Sequence, residues 1–129
     1  NQDSKVVQDA LVQHFETRVP FGLEVHIERE EVASSWLTSA EGPAFDAARR
    51  AMAAGYGRDC EIIGCGGTIP FVGPFARVLG GVPALLTGVE DPLCHAHSEN
   101  ESLLIEDWKK GTRAAVHLYA ELAGALTPR

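Results

Sequence analysis

Three short apolar runs, set apart by helix-like stretches, constrain the fold of this chain more than any other feature. Leu23-Glu24-Val25-His26-Ile27-Glu28 alternates apolar and polar residues, the period of an antiparallel strand with one wet face. Glu61-Ile62-Ile63 and Pro83-Ala84-Leu85-Leu86-Thr87 are shorter and more continuously apolar, as strands lying between helices are. Around them the spacing turns helical. A helix is predicted from about Ser4 to Thr17, with Ser4 as cap and Val7, Ala10, Leu11, His14 and Phe15 on one face. A second runs from Pro43 to Ala54, with Phe45, Ala48 and Met52 inward and Gly55 just past its end. A short third passes through Phe71, Phe75 and Leu79 and stops at Gly80-Gly81; the last, about Ile105 to Ala123, carries Trp108, Thr112, Ala115, Tyr119 and Leu122 at spacings of three and four. Strand, helix, strand, helix in this order predicts an α/β fold with helices packed on a sheet. The change in pattern between Ser35 and Gly42 marks a boundary, dividing the chain into residues 1–38 and 39–129.

Composition narrows the partners. The 129 residues are 45% hydrophobic, enough for a packed core, and 11 Lys+Arg against 18 Asp+Glu give a formal charge of -7. Nucleic-acid binding depends on a basic footprint, so a nucleic-acid partner is not expected. No apolar run approaches the ~20 residues of a membrane span, and Asn1-Gln2-Asp3-Ser4-Lys5 does not read as a signal peptide, so a cytoplasmic chain with no membrane partner is expected. Cys60, Cys65 and Cys94 are an odd set without Cys-x-x-Cys spacing, which indicates neither a disulfide framework nor a zinc ribbon.

Two segments carry candidate chemistry. Gly66-Gly67-Thr68, between the second apolar run and a helix, could offer backbone N–H groups and a hydroxyl to a carboxylate or phosphate; it could equally be a turn that needs glycine for its backbone. It is neither a P-loop nor a dinucleotide fingerprint. Leu93-Cys94-His95-Ala96-His97-Ser98-Glu99-Asn100-Glu101 concentrates metal-competent side chains between a strand and a helix. His97, at the carboxyl end of a strand, is a candidate metal ligand, although a catalytic zinc takes three protein ligands and the chain offers no others in a known spacing. Glu99 and Glu101 are either catalytic carboxylates or acids favoured ahead of a helix by its macrodipole. Cys94 beside two histidines could be an activated thiol, but nothing marks an oxyanion hole. His14, His26 and His117 read as surface or half-buried residues.

Taken together, Ala47-Ala48-Arg49-Arg50-Ala51-Met52, Gly66-Gly67-Thr68-Ile69-Pro70, Leu85-Leu86-Thr87-Gly88 and Ala96-His97-Ser98-Glu99-Asn100-Glu101 resemble, in order and spacing, segments of the M20 family of metallopeptidases, which includes dipeptidases, carnosinase-like enzymes, aminoacylases and acetylornithine deacetylases. The last segment, similar to that family's Ala-His-Ser-x-Asn-Glu motif, is the most specific. The resemblance implies the C-terminal portion of a longer two-domain α/β enzyme: residues 1–38 as the second half of a lid or dimerisation domain, and 39–129 as the closing part of a catalytic domain. It implies His97 as one ligand of a centre of two divalent metals, zinc or alternatively manganese or cobalt. It also implies Gly66, Gly67 and Thr68 as substrate contacts, a small peptide or N-acyl amino acid as substrate, and a homodimer formed through the lid. The family's His-x-Asp, bridging Asp, Glu-Glu pair and further acidic ligand have no counterpart here, so the general base and other ligands are expected outside this chain, and the chain alone should be inactive. Where carnosinase-type dipeptidases have Arg-Glu before the glycine turn, this sequence has Gly64-Cys65, which leaves the substrate open within amide hydrolysis. The alternative is a non-catalytic dimerising or binding module.

Overall fold

The computed structural model describes residues 2–64 and 69–126. Its regular structure is helical: α1 (Ser4–Thr17), a single 3-10 turn (Pro20–Gly22), α2 (Pro43–Tyr56), α3 (Val72–Val78) and α4 (Ile105–Leu126). The expected α/β fold is therefore corrected, for the described residues form no strand and no sheet. Leu23–Glu28, Glu61–Ile63 and Pro83–Thr87 all lie outside any ladder. Alternation and β-branching favour an extended backbone, but a strand exists only when a second strand takes up its N–H and C=O groups. Without that partner Leu23, Val25, Ile63 and Leu86 stay exposed.

Each helix begins and ends for local reasons. Asp3, not Ser4, caps α1: its Oδ1 accepts from Lys5 N at 2.8 Å and Val6 N at 3.3 Å, meeting two of the N–H groups a helix start leaves free. Pro43 opens α2 at a position where its missing N–H costs nothing, and Gly57, at φ 75°, ends it by donating to Ala53 O at 2.8 Å. In α4 the acids Glu106 and Asp107 occupy the first turn, where the helix dipole favours them, and each pairs with a lysine three residues on.

The described residues fall into two compact units. The second comprises residues 38–64 and 83–126, and its core is the packing of α2 on α4, the only helices in contact with each other among the described residues. Ala47, Ala51 and Gly55 repeat every four residues and form one stripe along α2; Ala47, Ala51 and the facing Ala114 are 0% exposed. A Cβ on Gly55 would stand 2.5 Å from Ala114 Cβ and 2.6 Å from its backbone N, so the helices touch backbone to backbone here. Gly55 is thus an interior residue of α2, not the stop expected from the sequence. Arg50 Nε reaches Glu121 at 2.8 Å across the same pair. The extended segment around Val89 lies against the pair, where a Cβ on Gly111 would meet Val89 Cγ1 at 2.5 Å.

The first unit comprises the described residues of 1–37 and 65–82. Its extended segment is tied to α1 by Gln8 Nε2 donating to Glu30 O at 2.8 Å and by an Arg29–Asp9 ion pair. Farther along, Trp36 lies beside Gly73 of α3. The face expected to bury α1 is open: Val7, Leu11 and Phe15 are exposed, and Val12 is the residue it buries. In α4, likewise, Trp108 and Tyr119 of the expected inner face are exposed, and Ala114 is buried instead. The periodicity locates an apolar stripe, but closest approach to a neighbour decides which side is covered.

Candidate functional site: the loop 91–102

The histidine-bearing segment is a loop of successive tight turns between the extended residues 82–90 and α4. Asp91 folds its entrance, accepting from Leu93 N through Oδ1 at 2.7 Å and from Cys94 N through its carbonyl at 3.2 Å. Ser98 N then donates to His95 O at 3.0 Å, and Ser102 N donates back to Cys94 O at 2.8 Å, closing the loop at its base. Cys94 is the anchor. It is 3% exposed in a segment whose neighbours Leu93 and His95 are open to solvent. An unmodified cysteine packs as a small hydrophobe, and Cys94 has no disulfide partner among the described residues.

His95, His97 and Asn100 carry positive φ, at 55°, 58° and 60°. An L-residue in this left-handed region crowds its Cβ against the carbonyl oxygen, at a cost of about 1 kcal/mol each. Asn and His tolerate it better than most, and the hydrogen bonds around Cys94 are what hold the backbone there. His97 emerges as an exposed imidazole on a loop whose base is fixed. Glu99 and Glu101 are exposed on the same loop and precede α4 by several residues, so the helix-dipole reading passes to Glu106 and Asp107.

Among the described residues no group of three or more His, Cys, Asp and Glu side chains is placed to hold a metal ion. His97 on its own does not fit a two-metal centre, which needs several more ligands. The candidate substrate contacts Gly66, Gly67 and Thr68, and Cys65 with them, lie outside the described residues. His14 is exposed with Nδ1 3.1 Å from Arg18 Nη1, His26 is exposed 3.6 Å from Glu28, and His117 is exposed, so none of the three joins His97. The anchoring role of Cys94 escaped sequence reasoning because Leu93 is the more apolar neighbour and yet is 79% exposed. No helix is long and apolar enough to cross a membrane among the described residues.

No family model, curated protein or solved structure matches this chain.

Proposed function

We propose that this chain is part of a metal-dependent amidohydrolase that cleaves the peptide or N-acyl amide bond of a small substrate, with His97 as one metal ligand. The observation that carries the reading is the loop itself: the Ala96-His97-Ser98-Glu99-Asn100-Glu101 segment holds an exposed imidazole on a strained backbone closed by Ser102 and Cys94. Strain of this kind persists only where surrounding contacts enforce it, and it concentrates at functional sites. A neutral imidazole at such a position is a common ligand for zinc and similar ions. The remaining ligands and the general base would come from residues outside those described, and Gly66, Gly67 and Thr68 would contact the substrate.

The isolated 129-residue chain should hydrolyse no dipeptide or N-acyl amino acid with zinc, manganese or cobalt added, because a single imidazole neither retains a metal nor activates water. In a polypeptide that supplies the other ligands, His97→Ala should lose one equivalent of metal by elemental analysis and most of the turnover, with circular dichroism unchanged. Full metal content and wild-type turnover in that variant would remove His97 from the site.

A second reading, a non-catalytic module that associates with another chain, draws on α4. Ile105, Trp108, Val116 and Tyr119 form an exposed apolar stripe at spacings of three, eight and three. Sedimentation of the chain without added metal tests this reading, since association abolished by Tyr119→Glu and Val116→Glu favours the module.

A further inference from the structure

The first unit holds a groove of about 330 Å³ between the extended residues 31–36 and α3. On one side stand Glu31, Ser34 and Trp36; on the other Pro70, Pro74 and Arg77. Gly73 of α3 lines the groove as well. A Cβ there would lie 3.5 Å from Arg77 Nη1 and 3.6 Å from Trp36 Cδ1, so the glycine leaves the guanidinium and the indole edge facing a shared space. Neither the Arg77 guanidinium nor the Glu31 carboxylate has a hydrogen-bond or ion-pair partner among the described residues, and the hydroxyls of Ser34 and Ser35 have none either. Arg29, Arg49 and Arg50 pair with carboxylates, whereas Arg58 and Arg113, like Arg77, do not among the described residues.

Opposite charges that share a groove without meeting each other suit a ligand that carries both. We propose that this groove binds a free amino acid or short peptide, with Arg77 taking its carboxylate, Glu31 its ammonium group, and Trp36 with the two prolines lining its apolar side chain. Guanidinium presents parallel N–H donors that match a carboxylate's two oxygens. A phosphate fits worse, because its second negative charge would face Glu31. The volume lies at the lower end of the range for small-molecule sites, which suits a ligand of one or two residues. This inference stands apart from the amidohydrolase reading, since it needs no metal and no reaction.

The test uses the whole chain without added metal. Trp108→Phe leaves Trp36 as the reporting indole, and glycyl-L-leucine should change its fluorescence saturably with a Kd on the order of 1 mM. Calorimetric titration of the unsubstituted chain gives the same readout without that change. Glycyl-L-leucine amide, which lacks the carboxylate, should bind about tenfold more weakly, and Arg77→Gln should weaken the dipeptide by a similar factor. Glu31→Gln should weaken glycyl-L-leucine and leave N-acetyl-L-leucine, which has no ammonium, unaffected. Absence of saturation in both assays, equal binding of acid and amide, or displacement by inorganic phosphate as strong as by the dipeptide would each overturn the proposal. None of these outcomes touches the role proposed for His97, and loss of that role leaves the groove as it is.

Discussion

Helices α1 and α2 are each 14 residues long, and both show apolar residues at helical spacing, yet α2 buries five residues and α1 one. The difference lies in side-chain size. In α2 the repeated positions are Ala47, Ala51 and Gly55, small enough for the backbone of α4 to come into direct contact at Ala114. In α1 they are Val7, Leu11 and Phe15, which are exposed and, among the described residues, meet no other helix. Large apolar residues raise the reward for burial without supplying a partner. Small ones permit close approach, after which dispersion contacts accumulate along the whole crossing.

The sharpest way to break this comparison is to enlarge Gly55. Gly55→Val places branched carbon where Ala114 already sits and should destabilise the second unit by about 3 kcal/mol in urea unfolding. Gly124→Ala is the matching control: it too is helical but meets nothing within 4 Å, so improved helix propensity should make it neutral or stabilising by about 0.5 kcal/mol. A Gly55→Val variant as stable as Gly124→Ala would mean that α2 and α4 do not touch as described. A smaller effect is expected in α1, where Val12→Ala should cost about 1.5 kcal/mol and Leu11→Ala under about 0.5 kcal/mol, since Val12 is 7% exposed and Leu11 is open to solvent. The reverse order in thermal unfolding would put the helix on the face that the sequence suggests. His97→Gly relieves the left-handed strain and should raise stability by about 1 kcal/mol or slightly less. Reduced stability in that variant would show the imbalance to lie in side-chain contacts of His97 and not in its backbone.

The loop 91–102 and the extended segments make a second pairing of regions. The sequence predicts strands at 23–28 and 83–87, in different parts of the chain, and a strand-to-helix turn at 91–102. The loop is held by hydrogen bonds closed within twelve residues, from Asp91 to Ser102, so its geometry needs nothing distant. Residues 23–28 and 83–87 need a ladder, and a ladder needs another segment in register. A pattern of alternation can be satisfied by solvent on both sides when that segment is not among the described residues.

Helix positions were legible because their determinants are local. The sequence puts the start of α1 within a residue of its cap, Pro43 opens α2, and Gly80-Gly81 stop the chain after α3, where both glycines take positive φ. The helix α2 runs two residues beyond Ala54, the end expected from the sequence, because Gly55 and Gly57 look alike in sequence. One leaves room for Ala114, and the other turns the chain at φ 75°. His97 stood out as a ligand type in a motif, but the sequence held no sign that Cys94 anchors its loop or that His95, His97 and Asn100 would share one backbone strain. Nothing in the sequence pairs Trp36 with Arg77, 41 positions away. The sequence by itself therefore determined where helices begin, what charge the surface carries and which side chains could do chemistry, since capping, i→i+4 bonding and residue type act within a few positions. Which apolar stripe is covered, which glycine touches a neighbour and which distant polar groups share a groove were decided only in the tertiary structure, because each depends on segments that chain connectivity alone does not bring together.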